Sequence, residues 1–261
     1  GPKNRSTIPK MIRCSPEIPN ITQGYRLRLT LSMFCLMFSM TLGLGCSQKA
    51  QDPPPPREPT LFQKVTGEDP EDDRRQWDQL YSTQDYVFGK EAAQYLKQKL
   101  PELKLGPALD IAMGEGRNAV YLAKKGFQVT GVDLSEVAIR KAKLLARDQG
   151  VQIRTVIADL NQYRIAPESY ELIVVIQYLQ RSLIPQIKAG LKRGGLVVFE
   201  NPTVEELARS QGQKTDRNLR RDFLLEKGEL KRLFSDLEIL DYSEGPGEDG
   251  TMVARLLARR R

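Results

Sequence analysis

Histidine is missing from all 261 residues, so the chain has no imidazole to act as general base, metal ligand or partner of a nucleophilic serine. Cysteine is scarce and confined: Cys14, Cys35 and Cys46 all fall in the first fifth of the sequence. The rest of the chain therefore has no thiol nucleophile, zinc knuckle or disulfide, and no metal site is expected. Positive charge is also missing where it would count. The net charge is +7, but residues 1–60 hold eight basic against three acidic residues, and residues 254–261 add four arginines. Residues 61–253 are left with 28 basic and 30 acidic residues, a balance that argues against a phosphate-tracking groove and against nucleic acid as a direct ligand. With 40% hydrophobic and 28% charged residues the composition is globular. Its chemistry must run on carboxylates, hydroxyls, Arg and Lys, backbone amides or a borrowed cofactor.

Three segments differ in character. Residues 29–45 form an uncharged apolar run of 17 residues, preceded by Arg26 and Arg28 and followed by Cys46. This resembles a bacterial lipoprotein signal, although Gly43 stands where such signals usually carry leucine; at this length a cleaved signal and a retained anchor are both physically sound. Membrane association through residues 29–46 is expected, with cytoplasmic residence as the alternative. The basic residues ahead of the run predict an exported body. Residues 1–50 are thus read as a signal or anchor segment. Residues 51–73, with four consecutive prolines and an acidic cluster, read as a tether, and residues 74–261 as one domain.

Within that domain, apolar strands alternate with amphipathic helices, the pattern of a sheet covered on both faces. Strands are predicted at 107–112, 128–132, 151–157, 170–176 and 196–200. Ser135 should cap a helix presenting Ala138, Ala142 and Leu145 on one face. Leu183, Ile187 and Leu191 mark another helical stripe, stopped by Gly194-Gly195. A charged helical segment near 227–237 precedes strands at 237–242 and 252–257, which the short glycine-rich link forces to pair antiparallel. The fold class is α/β: a doubly wound, mostly parallel seven-stranded sheet with a C-terminal antiparallel hairpin.

The stretch ALDIAMGEGRN, residues 108–118, lies between a strand and a helix. Gly114 and Gly116 allow close backbone approach to a ligand, and the helix start behind them offers unpaired amides. Asp133, 17 residues beyond Gly116 at the end of the second strand, is placed to accept from both ribose hydroxyls of a nucleoside. Asp159, after the third strand, can receive an adenine amino group in the same crevice. Each feature alone has a structural explanation, as a tight turn, a helix-start acid or a solvated loop carboxylate; together, at the carboxyl ends of neighbouring strands, they describe a site.

On these residues the domain resembles class I S-adenosylmethionine-dependent methyltransferases, in particular the tellurite-resistance-like group of small-molecule methyltransferases. The family's acid-x-Gly-x-Gly-x-Gly motif reads Asp110-Ile-Ala112-Met-Gly114-Glu-Gly116, with Ala112 in place of the first glycine. The resemblance extends over Trp77–Tyr81, Tyr86–Gly89, Gly131–Ser135, Tyr178–Arg181 and Asp222–Leu230. It implies a Rossmann-like fold and S-adenosyl-L-methionine as cofactor; the methyl acceptor is expected to be a small molecule, with an anion (oxyanion, thiol or carboxylate) as the candidate class. Asp110 and Gly114 would serve the methionyl end, Gly116 backbone approach, Asp133 the ribose and Asp159 the adenine, with Ala112, Leu134 and Leu160 also counted among the cofactor-binding residues. Trp77, Tyr81 and Tyr86 are candidates for a lid, and Arg181 and Arg221 for positive charge at the acceptor's entrance.

Two other classes stay open at this level. Gly114-x-Gly116-x-x-Ala119 satisfies a dinucleotide fingerprint, so an NAD-dependent oxidoreductase is one alternative. Against it, Asp110 sets a carboxylate where a pyrophosphate would be repelled and a cationic methionyl group welcomed. The other is a non-catalytic, membrane-tethered nucleoside-binding module.

Overall fold

The computed structural model describes residues 69–210, 221–247 and 249–261. The apolar run at 29–45, Cys46 and most of the proline-rich tether lie outside the described residues. Among those described, no helix is long and apolar enough to cross a membrane.

Helix α1 (Pro70–Tyr81) begins inside the segment read as tether. The local signal is Asp69-Pro70: the Asp69 carboxylate accepts from the amides of Glu71 and Asp72, and proline fits the first helical position because it has no N–H to lose there. The acids of the supposed tether, Glu71, Asp72 and Asp73, are first-turn residues that suit the helix dipole.

After α2 (Gln94–Lys99) the chain alternates between β1 (Pro107–Ile111), α3 (Arg117–Lys124), β2 (Gln128–Asp133), α4 (Glu136–Asp148) and β3 (Arg154–Ile157). Then come β4 (Tyr170–Ile176), α5 (Ile184–Gly190), β5 (Leu191–Pro202), α6 (Glu205–Ser210), α7 (Glu229–Leu233), β6 (Glu238–Pro246) and β7 (Met252–Arg259). The seven strands form one sheet in the order β3-β2-β1-β4-β5-β7-β6, parallel except where β7 pairs antiparallel with β5 and β6. This is the expected doubly wound sheet closed by a hairpin. Strand order reverses between β1 and β4, which opens a crevice at their carboxyl ends.

The sheet divides the core by residue parity. On β4, Ile173 and Val175 join Leu109, Ile111, Val197, Phe199, Ile187 and Phe234 on one face. Leu172, Val174 and Ile176 join Ala108, Val198, Ala119, Leu122 and Leu96 on the other. An unbroken apolar run is what a strand buried on both faces requires. Ser135 caps α4 as expected, its Oγ accepting from the Ala138 amide at 3.0 Å, and Ala138, Ala142 and Leu145 are buried. The predicted stripe through Leu191 is shorter in the structure. Helix α5 ends at Gly190, and Leu191 opens β5, which continues through Gly194 at φ 78° with a register irregularity against β4. The third strand is likewise shorter than predicted, starting at Arg154 rather than Val151.

Candidate active site

Three carboxylates stand after or within adjacent strand ends. Asp110 lies in β1, Asp133 ends β2, and Asp159 follows β3, held alongside by the Ala158 amide donating to the Asp133 carbonyl. Asp133 Oδ2 accepts from the Gly114 amide at 2.7 Å and Oδ1 from the Ser135 amide at 2.9 Å, so this side chain ties the end of β2 to the glycine loop. Burial nevertheless pushes its pKa up to about 6, against the pull of those backbone donors. Asp110 is 1% exposed, and Oδ2 is buried with no hydrogen-bond partner. Burial raises its pKa to about 7, although the Arg117 charge and the Ala119 amide favour the ionised form. Asp159 Oδ1 accepts from the backbone and side chain of Asn161, whereas Oδ2 is buried and unpartnered. Two orphaned carboxylate oxygens in one crevice are costly unless a ligand supplies donors.

The glycine loop has two separate causes. A Cβ on Gly114 (φ 54°) would come within 3.0 Å of the Tyr81 hydroxyl, so this glycine keeps the loop close under the roof of the cleft. A Cβ on Gly116 (φ 84°) would meet the Ala142 Cβ at 2.7 Å. The second glycine is thus demanded by the packing of α3's start on α4, whatever it does for a ligand. Ala112 stands in the left-handed region at φ 52°, and Gln177, just after β4, at φ 59°, with its amide donating to the Glu200 carbonyl. These two non-glycine residues with left-handed backbone follow the two strands that flank the crevice, a placement sequence reasoning does not reveal.

Tyr81 is buried, stacked on Trp77 at 5.9 Å between ring centroids and met edge-on by Phe88 at 6.2 Å. Together Tyr81, Phe88, Gly114, Arg117 and Ile176 surround a cavity of about 40 Å³. That is far below the roughly 300 Å³ at which small-molecule sites begin, so this cavity alone does not hold a nucleoside. Trp77 and Tyr81, the expected lid residues, stand together beside the glycine loop.

Tyr86 does not join them. Its hydroxyl donates to the Lys141 carbonyl, and its ring packs with Val120, Leu145 and Ala146 between the ammonium groups of Lys90 and Lys141. It is a fastener on the outside of α4. Lys141 is a second one: its Nζ is 2.5 Å from Glu115 Oε1 and donates to the carbonyls of Tyr81, Thr83 and Asp85. Glu115, inside the glycine motif, also accepts from the Phe88 amide.

The two arginines expected at the acceptor's entrance are committed elsewhere. Arg181 makes a two-point ion pair with Glu229 and donates to the carbonyls of Asp222 and Leu224, clamping the chain ahead of α7. Arg221 is paired with Glu226 at 2.7 Å. Leu160 is a core residue, so only its backbone is free for a ligand, while Leu134 is half-buried beside Asp133. The cation that does line the cleft is Arg117, which sequence reasoning passes over. Its signal is positional: a basic side chain in the first turn of a helix opposes the dipole, and calls for a reason. Among the described residues no group of acidic, cysteine or histidine side chains could hold a metal ion.

The family model described as tellurite resistance protein TehB matches residues 78–252. A probable S-adenosyl-L-methionine-dependent methyltransferase TehB of Haemophilus influenzae is 31% identical over 143 residues, 54% of this chain and 49% of the relative. The chain spans about half the length of the curated relatives it matches. Among solved structures, TehB from Haemophilus influenzae superposes with a TM-score of 0.53 at 22% identity, over 72% of this chain and 67% of that one. A protein from Pyrococcus horikoshii OT3 superposes with a TM-score of 0.54 at 17% identity, over 64% and 89% of the respective chains. These structural likenesses concern the fold.

Proposed function

The chain belongs to the TehB tellurite-resistance protein family, and on that premise we propose that it is an S-adenosyl-L-methionine-dependent methyltransferase acting on a small molecule. The observation that carries this is the row of three carboxylates at Asp110, Asp133 and Asp159, two of them with a buried oxygen lacking a donor. The donor set fits the cofactor: an ammonium on Asp110, ribose hydroxyls on Asp133 and an adenine amino group on Asp159 would satisfy them. When bound, S-adenosylmethionine supplies a methyl group on a positively charged sulfur, open to in-line displacement. Such a displacement asks the protein for alignment and dryness more than for an acid or base, which suits a site without histidine or cysteine. Tyr81, Trp77 and Phe88 exclude water above the glycine loop, and Asp133 fixes that loop through the Gly114 amide.

A small acceptor agrees with the narrow, lidded cleft. An anionic acceptor loses the support of Arg181 and Arg221, whose charges are spent on Glu229 and Glu226. Dinucleotide binding is disfavoured by the buried, partly unsatisfied Asp110 at the place a pyrophosphate would occupy. We further infer membrane association through residues 29–46, on the sequence pattern alone.

Calorimetry with the full chain tests the reading. S-adenosylmethionine and S-adenosylhomocysteine should bind, and Asp133→Ala should weaken both by about 1.5 to 3 kcal/mol through lost charge-assisted hydrogen bonds. Binding of NAD in their place, or indifference to the Asp133 substitution, would overturn it. A methyl-acceptor screen over tellurite, selenite, thiols, carboxylates and RNA, read as S-adenosylhomocysteine formed, then identifies the acceptor class.

A further inference from the structure

On the face of the sheet that carries Leu109, Val132 and Ile173, the cover runs out towards the amino ends of the strands. The connection from β3 to β4 has to cross β2 and β1, and residues 158–169 do so without forming a helix. They place Leu160 and Ile165 in the core on this face and leave the amino ends of β1, β2 and β3 bare. The sequence is written to match. With a period of two and the observed register, Gln128, Thr130 and Arg154 stand on the same side as Val132 and Val156, yet they are polar where a covered parallel strand is apolar.

These bare ends form a groove rather than a flat surface. Pro107 of β1 and Tyr170 of β4, with Ala166 and Ser169 of the connection, line it on one side, and Gln152 and Ile153 line it ahead of β3. Its volume is about 650 Å³, inside the range of roughly 300 to 1,000 Å³ in which small-molecule sites fall. Among the described residues the side chains of Gln128, Thr130, Gln152 and Arg154 make no hydrogen bond or ion pair, and no carboxylate lines the groove.

A single guanidinium without a counter-ion, beside uncommitted amide and hydroxyl groups, complements one negative charge carried on acceptor oxygens. The planar fork of an arginine matches a carboxylate in two-point geometry, whereas a doubly charged phosphate ester would find only one cation in this lining. The rings of Pro107 and Tyr170 and the aliphatic Ile153 offer apolar surface for the remainder of such a ligand.

We propose that this groove is a second ligand site, taking a small aromatic carboxylate whose charge pairs with Arg154 and whose ring lies against Pro107 and Tyr170. The site does not depend on the cofactor reading and stands apart from it. Gln128 opens β2 and Asp133 ends it, so the groove and the carboxylate row are separated by about 16 Å of extended chain.

The test uses the full chain, with 2-naphthoate as the probe and 2-naphthalenemethanol as its uncharged counterpart. Both are titrated by naphthalene fluorescence, with and without saturating S-adenosylhomocysteine. 2-Naphthoate should bind about tenfold more tightly than the alcohol, and Arg154→Gln should remove that advantage. Arg154 is exposed, so the substitution leaves the core intact. Arg154→Lys, which keeps the charge without the fork, should recover part of the loss, and Arg147→Gln, at an exposed arginine of α4, should bind like the parent. Equal affinity for the alcohol would mark a merely apolar patch and overturn the proposal. So would 2-naphthoate binding that ignores Arg154→Gln, or that S-adenosylhomocysteine displaces, since either places the probe elsewhere. Absence of saturable binding up to roughly 10 mM, where the free energy of association is under about 3 kcal/mol, would overturn it as well.

Discussion

Ala112 holds a left-handed backbone at φ 52° in the position where related motifs carry glycine. That conformation costs an alanine about 1–2 kcal/mol, while glycine in its place restores about 0.4–1 kcal/mol of unfolded-chain freedom. Ala112→Gly should therefore be neutral or stabilising by up to about 1 kcal/mol in urea denaturation. Gly116→Ala has no such margin. It meets left-handed strain together with a 2.7 Å approach to the Ala142 Cβ, so it should destabilise the fold clearly and by more than the strain alone.

Titration at the residue scale has a definite sign. Asp110 titrates near 7 in the folded chain against an ordinary 3.8, so the folded form binds this proton more tightly than the unfolded one. Its contribution to stability is therefore largest below about pH 4 and declines as pH climbs through 7. Cofactor binding runs the other way, because an ammonium prefers the carboxylate. S-adenosylhomocysteine should bind about tenfold more tightly at pH 8 than at pH 6 and should release a proton on binding near pH 6. Calorimetry in buffers of different ionisation enthalpy measures that proton. Asp110→Asn should reduce the pH dependence to the part left by Asp133, which titrates near 6. An unchanged pH profile in that variant would refute the assignment.

Among the elements, α1 and the loop after it are secured by groups the sequence spreads widely. Asp78 of α1 accepts from the Ser135 hydroxyl and the Val137 amide, doubling as an external cap for α4. Lys141 of α4 reaches back to Glu115 and to three carbonyls between Tyr81 and Asp85. Removing the ammonium leaves the Glu115 carboxylate buried without its counter-ion, a loss of about 3 to 5 kcal/mol. Lys141→Met should accordingly lower stability on that scale and speed amide exchange in residues 82–89. Adding Glu115→Gln should recover part of the stability, because the uncompensated charge is gone, without slowing that exchange to the parent rate. Slow exchange in the Lys141→Met loop would show that the lid is held by Tyr81 and Trp77 packing instead.

Legibility also varied by element. The apolar run of β4 and the Ser135 cap of α4 are local patterns, and both are where the sequence puts them. Leu191 is ambiguous because a leucine at the junction of α5 and β5 satisfies a helical stripe and a buried strand equally well. Gly114, Asp133 and Asp159 could be placed together from spacing, since parallel strands of known length bring their ends together, whereas Asp110 entered only through the resemblance to the family motif. Arg181 could not: its partner Glu229 lies 48 residues onward, and nothing local distinguishes a clamped arginine from a free one.

For the whole molecule, residues 29–46 and the cofactor reading make opposing demands on location. Among the described residues no helix is long and apolar enough to cross a membrane, and the sequence feature that suggests attachment is the apolar run at 29–45, with Cys46 as its lipidation candidate. The arginines before the run, the cysteine after it and the proline-rich spacer beyond are mutually consistent, and a tether of that composition would let the domain stand off a bilayer. The cofactor pulls in the opposite direction, because a domain carried across the membrane by such a signal leaves the compartment where S-adenosylmethionine is made. An uncleaved anchor that keeps the domain inside reconciles the two, at the expense of the charge bias around the run. Cells expressing the full sequence, with and without Cys46→Ser, separate these arrangements on fractionation. A membrane-bound protein whose mass does not change with the substitution indicates a spanning helix, and a mass that falls by a lipid increment indicates lipidation. Recovery of the intact chain wholly in the soluble fraction would remove the anchor altogether and leave residues 1–68 without a membrane role.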